Sequence, residues 1–221
     1  MTNEEILQGL FDDTLVGNAP SVKALTEEGL AQGMDPETLL YDALIPSLEE
    51  VGARFERGDF FVPEMLIAAR AMQGALDILR PLLAETGAKP IGTVVMGTVK
   101  GDVHDIGKNL VNIMLEGAGF TVWDLGVNVA PERFVEQVEE HKPDIVGFSA
   151  FLTTTMPMFK VNIEAIEKAG LRDDVIIMVG GAPVTQEYAD AVGADGYAPD
   201  AAATTKRAKD LLAERRALTA A

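Results

Sequence analysis

Gly101-Asp102-Val103-His104-Asp105-Ile106-Gly107 holds the residues in this chain best able to do chemistry. An apolar, β-rich run at residues 91–96 precedes it, and a helical pattern (Ile106, Leu110, Ile113, Met114) follows. The histidine therefore sits on a loop leaving a strand, where open α/β sheets bind ligands. Asp102 stands two residues before His104 and can hold one ring nitrogen, which leaves the other free to ligate a metal. Gly107 opens the helix without a side chain, so a bulky group can pass close to the backbone. A single histidine after a strand is ordinarily a surface residue, and the metal reading draws its weight from the rest of the chain.

The 221 residues contain no cysteine and only two histidines, His104 and His141. Disulfides, thiolate sites and multi-histidine sites are thereby excluded, so a metal on His104 must arrive with most of its coordination already filled. With 18 Lys and Arg against 35 Asp and Glu, the formal net charge is -17. Phosphate binding needs clustered basic residues, so nucleic acid is not an expected partner. No run of eighteen apolar residues is present, and the start, Met1-Thr2-Asn3-Glu4-Glu5, lacks the basic and apolar regions of a signal peptide. These features predict no membrane association and a cytoplasmic location.

The pattern changes character near residues 85–90. Before it, helical signals dominate. Thr2-x-x-Glu5 reads as a capping box opening a helix to about residue 16. Asn18-Ala19-Pro20-Ser21 starts a second, ending about residue 32, and Asp35-Pro36-Glu37 a third, ending about residue 57 with a kink expected at Pro46. A fourth runs from about residue 63 towards 83, which makes a bundle. After Pro90, β-rich runs at 91–96, 120–125, 144–148, 175–179 and 196–197 alternate with helical segments at 106–116, 131–140, 158–169, 186–192 and 201–215. This is a βα repeat, a doubly wound α/β domain with a parallel sheet. Residues 1–88 and 89–221 are the expected domains, and the final Ala-Leu-Thr-Ala-Ala is expected to fray.

Three more strand ends carry suitable residues. Ser149-Ala150-Phe151-Leu152-Thr153-Thr154-Thr155 offers hydroxyls to a buried polar ligand, although Ser and Thr also bond locally in ordinary turns. Val179-Gly180-Gly181-Ala182-Pro183 lets the backbone approach a flat or bulky group. Tyr197-Ala198-Pro199-Asp200-Ala201 places small residues before the last helix.

Asp102-x-His104-x-x-Gly107, Ser149-x-x-Leu152 and Gly180-Gly181, in this order and spacing, resemble the cobalamin domain of methionine synthase and of small corrinoid proteins of methyltransferase systems. Glu56-Arg57-Gly58-Asp59-Phe60-Phe61-Val62-Pro63-Glu64-Met65 is similar to the helical cap of the same family, so the resemblance covers nearly the whole chain. It is strongest to the stand-alone corrinoid proteins that serve methylamine, methanol or methoxy-compound methyltransferases. The resemblance implies a four-helix cap on a Rossmann-like, flavodoxin-like domain that binds cobalamin or a related corrinoid. His104 would ligate cobalt in place of the cofactor's dimethylbenzimidazole, within a loop formed by Gly101, Asp102, Val103, Asp105, Ile106 and Gly107. Ser149 and Thr153 would bond the displaced tail or base, Leu152 would be a further cofactor-binding residue, and Gly180, Gly181 and Ala201 would line the slot. Thr155 matches a serine that joins the family's Asp–His pair in a relay, and its added methyl stiffens that hydroxyl. Phe61, Met65 and Met72 would cover the upper face, or else simply pack the bundle.

The function so implied is a methyl carrier working between a substrate-specific methyltransferase and an acceptor methyltransferase, with a reductive activase as a further partner. The chain has no room for a barrel of about 250 residues that would bind a methyl donor, so it would not be catalytic alone. The alternative is a cobalamin-binding sensor, a class that usually adds a basic DNA-binding module. A small mutase subunit would not need the cap, and a flavodoxin-like domain without corrin would explain neither the cap nor the ordered motifs.

Overall fold

The computed structural model describes residues 1–86 and 90–219. Residues 87–89, within the segment where the sequence pattern changes, and the last two alanines lie outside the described residues. The described chain divides into two units, Met1–Pro90 with Glu116–Gly119, and Ile91–Leu115 with Phe120–Ala221.

Local signals open and close the helices of the first unit. In α1 (Asn3–Leu15), the Thr2 hydroxyl accepts the Glu5 amide at 3.2 Å while the Glu5 carboxylate accepts the Thr2 amide at 2.7 Å. These reciprocal bonds satisfy two amides that a helix start leaves bare. Pro20 lies in the first turn of α2 (Ala19–Ala31). Asp35 caps the next helix through the Glu37 amide, and that helix is continuous from α3 (Pro36–Leu39) through a π segment (Leu40–Leu44) into α4 (Ile45–Arg57). The π segment lies just before Pro46, where a kink is expected. Proline donates no hydrogen bond and its ring crowds the carbonyl four residues back, and here the preceding turn is widened, with the Ile45 amide bonding the Leu40 carbonyl. Gly58 ends α4 at φ +78°, and α5 (Val62–Thr86) follows. Ile6, Leu10, Leu39, Leu44, Met65, Met72 and Leu79 are fully buried, and Ser47 bonds the Phe11 carbonyl at 3.0 Å, tying α4 to α1.

The second unit is the expected α/β repeat. Its strands are β1 (Gly92–Thr98), β2 (Phe120–Asp124), β3 (Ile145–Ser149), β4 (Ile176–Gly180) and β5 (Gly196–Tyr197), all parallel, in the order β2-β1-β3-β4-β5. The helices between and after them are α6 (Ile106–Gly117), α7 (Pro131–His141), α8 (Met158–Lys168), α9 (Gln186–Val192) and α10 (Ala201–Thr219). Residues 217–219, expected to fray, continue α10.

Three expected strand starts shift by one residue, the first of them β1, which begins at Gly92 rather than Ile91. Asp144 stands outside β3 because its carboxylate accepts the Thr93 amide and hydroxyl at 2.8 and 2.9 Å, and β4 begins at Ile176 rather than Val175. On one face of the sheet Val95, Val146, Phe148, Ile177 and Val179 pack with Phe134 and Val138 of α7 and Phe159, Ile163 and Ile166 of α8. On the other, Gly196 approaches Leu211 of α10 so closely that a Cβ would stand 2.6 Å from it. Burial of both faces is why the strands read as continuous apolar runs.

In this strand order the chain leaves β1 towards one edge and returns to β3 on β1's other side. The loops after β1 and β3 therefore part in opposite directions and open a crevice at the carboxyl edge. Register aligns Thr98 with Ser149 and Ser149 with Gly180 along that edge.

Phe148 is 1% exposed, edge-on to Phe134 at 4.8 Å between centroids and 6.5 Å from Phe159. Phe148→Ala should lower the unfolding free energy by about 3–5 kcal/mol, read from urea denaturation.

Candidate functional site

β1 ends in a turn that aims its loop back across the sheet edge. The Val99 amide bonds the Ser149 carbonyl at 3.0 Å, Gly101 takes φ +86°, and the Asp102 amide closes onto the Val99 carbonyl at 3.1 Å. This buries Asp102 completely. Its Oδ1 accepts the His104 amide at 3.0 Å and faces His104 Nδ1 at 2.7 Å. Its Oδ2 accepts the Phe151 amide at 2.8 Å, the Leu152 amide at 3.2 Å and the Thr155 hydroxyl at 2.7 Å. The Thr155 hydroxyl also lies 2.9 Å from the Leu152 carbonyl, but it has one proton, and the carboxylate is the stronger acceptor. Burial alone would raise the Asp102 carboxyl. The bonds from the Thr155 hydroxyl, the His104 amide and ring, and the Phe151 amide outweigh it and hold the group well below the ordinary carboxylate range.

An ionised Asp102 can only accept, so Nδ1 of His104 carries the proton and Nε2 keeps its lone pair. Nε2 has no hydrogen-bond partner among the described residues. The ring stacks on Phe151 with centroids 4.4 Å apart, its backbone carbonyl accepts the Thr98 hydroxyl at 3.0 Å, and its side chain is 45% exposed. The imidazole is thus held in orientation and presents a basic nitrogen outward. Val103, Ile106, Val127, Phe151 and Leu152, on the same sheet edge, are all exposed large apolar residues. Such a set around one basic nitrogen suits a broad apolar ligand bearing a metal. Among the described residues no three His, Asp or Glu side chains gather to hold a bare ion.

The remaining expected residues fall into three groups. Asp105 accepts the Asn109 amide at the start of α6, and Gly107 and Gly180 each leave open space where a Cβ would stand. Gly181, at φ +135°, brings its α-carbon so near the Ala150 carbonyl that an added Cβ would lie 1.8 Å from that oxygen. Only glycine fits there, and the β3 and β4 loops are locked together by it. Ser149 is half-buried at the end of β3, Thr153 is exposed, and Ala201 is buried at the start of α10. In the helical unit Phe61 is 65% exposed, whereas Met65 and Met72 have no exposed surface.

Two residues in this region were not anticipated. Lys108, buried in α6, bonds Asp124 at the end of β2 at 2.5 Å and Asn109 at 2.7 Å. Asn112, one turn on, is buried with its Oδ1 unpaired. Each reads in sequence as an ordinary polar residue on a helix, and only packing distinguishes it.

A B12 binding domain matches residues 92–206, and a second B12 binding domain matches residues 6–80. The chain belongs to the B12-binding family. Dimethylamine corrinoid protein 1 of Methanosarcina acetivorans is 42% identical over 214 residues, covering 96% of this chain and all of the relative. The methanol:cobalamin methyltransferase complex MtaBC from Methanosarcina barkeri contains a chain similar in structure, with TM-score 0.84 and 30% identity over 95% of this chain and 80% of that one. A cobalamin-binding protein from Desulfitobacterium hafniense DCB-2 gives TM-score 0.75 at 30% identity, over 92% of this chain and 97% of that one. The bound cofactor of this B12-binding chain is a corrinoid, and the site fits it: one oriented imidazole, an apolar surround, and open space at Gly107 and Gly180.

The folded Asp102 carboxyl titrates below its unfolded value, so its stabilisation is present above about pH 4 and is lost as the pH falls towards the folded value. Asp102→Asn should therefore be less stable than the parent at pH 7, and the gap should narrow below about pH 4. Thr155→Val should cost about 1–3 kcal/mol at pH 7 by leaving the buried carboxylate one donor short. Denaturant midpoints measured from pH 7 to 2.5 check both, and a gap constant across that range would contradict the first.

Proposed function

We propose that this chain is a corrinoid methyl carrier in which His104 is the lower axial ligand of cobalt. The observation that carries the reading is the Nδ1–Asp102 bond at 2.7 Å beneath an imidazole whose other nitrogen is outward and unpaired. When bound, the corrinoid supplies a cobalt centre that takes up and gives up a methyl group. The chain's own residues orient that centre and tune it. Asp102 fixes the tautomer and raises the basicity of Nε2, and Thr155 keeps Asp102 ionised. Movement of a proton onto the Asp102–His104 pair would weaken His104 as a donor, so the pair adjusts the ligand to each half of the transfer. Phe151 braces the ring, and Val103, Ile106 and Leu152 exclude water beside it. Ser149 and Thr153 offer hydroxyls to the displaced base and tail, with Gly180, Gly181 and Ala201 lining their slot. Phe61 is the exposed aromatic by which the helical unit can shield the opposite face.

Partner methyltransferases complete the reaction, one donating the methyl group and one receiving it, and a reductive activase restores cobalt that has been oxidised. The identity to a dimethylamine corrinoid protein and the likeness to a chain of a methanol:cobalamin methyltransferase complex support this division of labour.

Full-length protein loaded with hydroxocobalamin should show the visible spectrum of imidazole-ligated cobalt. His104→Ala should abolish that spectrum and weaken binding at least about tenfold, and a mutant spectrum equal to the parent's would refute the ligand assignment. Loaded, reduced protein mixed with a methylamine methyltransferase and its amine should take up one methyl group per corrinoid, and no uptake across the methylamine and methanol enzymes would refute the carrier role.

A further inference from the structure

Asp102 is held at its side chain by the loops after β1 and β3, but its backbone is held by a third loop. After β2 the chain runs beside the end of β1. The Leu125 amide bonds the Met96 carbonyl at 2.8 Å, the Thr98 amide bonds the Gly126 carbonyl at 3.0 Å, and the Val129 amide bonds the Thr98 carbonyl at 2.9 Å. Within this zipped segment Asn128 adopts φ +54°, one of only two non-glycine residues with positive φ among the described residues. That conformation is uncommon for a residue with a side chain, and asparagine tolerates it better than most.

What the unusual backbone achieves is a two-point clamp. The Asn128 amide donates to the Asp102 carbonyl at 2.9 Å, and its side-chain Oδ1 accepts the Gly101 amide at 2.8 Å. Because the Gly101 partner is an N–H donor, the oxygen and not the amide nitrogen must face it. The two bonds seize consecutive residues of the turn that delivers Asp102 to His104. Gly101 itself sits at φ +86°, and without a Cβ its backbone has few intrinsic restraints, so an external hold matters there.

We propose that Asn128 is a positioning residue for the axial histidine, acting through the Gly101–Asp102 backbone. The proposal rests on the reading of His104 as the cobalt ligand. None of the motifs Asp102-x-His104-x-x-Gly107, Ser149-x-x-Leu152 and Gly180-Gly181 includes Asn128, and the residue touches neither Asp102's carboxylate nor the imidazole in the bonds described. Its effect is on where the Asp–His pair stands, not on its chemistry.

Two variants separate the side-chain bond from the backbone shape. Asn128→Gly accepts the positive φ without strain and deletes the side chain that carries Oδ1. Asn128→Asp also tolerates that conformation and restores an acceptor for the Gly101 amide. Each is made in the full-length protein, checked by circular dichroism, titrated with hydroxocobalamin, and reduced so that the nitrogen splitting in the cobalt(II) paramagnetic resonance spectrum reports the fraction ligated by the protein. Asn128→Gly should raise Kd about three- to tenfold, the worth of one hydrogen bond. It should also lower the nitrogen-ligated fraction and speed hydrogen exchange at the Gly101 amide in cofactor-free protein. Asn128→Asp should stay close to the parent in all three. An Asn128→Gly protein that matches the parent in affinity and nitrogen-ligated fraction overturns the proposal, as does an Asn128→Asp protein that is folded yet no better than the glycine variant. If the parent shows no nitrogen splitting, or keeps it in His104→Ala, the ligand assignment itself fails and this proposal falls with it. A parent signal lost in His104→Ala but untouched in Asn128→Gly removes the Asn128 role alone.

Discussion

An ionised carboxylate taken out of water at the end of a strand must recover its hydration from the protein, and Asp102 does so by drawing five donors onto two oxygens. Two of those donors come from its own loop and three from the segment after β3. Satisfying the charge therefore joins the two loops that flank the crevice. The same bonds that make burial tolerable also orient the imidazole, because one of the five donors is Nδ1 of His104. Position, tautomer and basicity of the outward nitrogen are consequences of where one negative charge had to be compensated.

That compensation takes place at a topological switch point of the sheet, where β1 leads to β2 on one side and β3 leads to β4 on the other. Between β1 and β3 the loops separate. The residues they leave exposed are apolar, Val103 and Ile106 on one side and Phe151 and Leu152 on the other. An exposed apolar rim costs solubility, and the chain's net charge of -17 offsets that cost elsewhere on its surface. Gly181 performs a related task one strand further on, where its contact with the Ala150 carbonyl holds the β4 loop against the β3 loop.

The helical unit follows different physics. Thr2 and Asp35 cap two of its helix starts, and leucine, isoleucine, alanine and methionine side chains are buried within it. Pro46 would break a regular helix, and with the π segment before it residues 36–57 stay continuously helical. Phe61, directly before α5, stays outside this packing and is exposed, whereas the two methionines are buried.

How much of this was legible in the sequence follows from how far apart the interacting residues lie. Helix starts at Thr2 and Asp35, the alternation of apolar strands with amphipathic helices, and the pairing of Asp102 with His104 all depend on residues two to four positions apart, so local spacing was enough to determine them. The ordered glycines and hydroxyls were visible as a pattern because each occupies a strand end in turn. Thr155 could be named by likeness, but its bond to Asp102 spans 53 positions and exists only because β1 and β3 pair in one register. Asn128's hold on Gly101 spans 27, and nothing in its neighbours marks it. Met65 and Met72 show the converse limit: helical spacing placed them on an apolar stripe, but which neighbour that stripe meets is decided by packing. Local sequence determined the elements and the ligand pair; the tertiary structure decided which distant donors would share one buried charge, because hydrogen bonds of about 3 Å between remote residues form only after the sheet has brought their loops together.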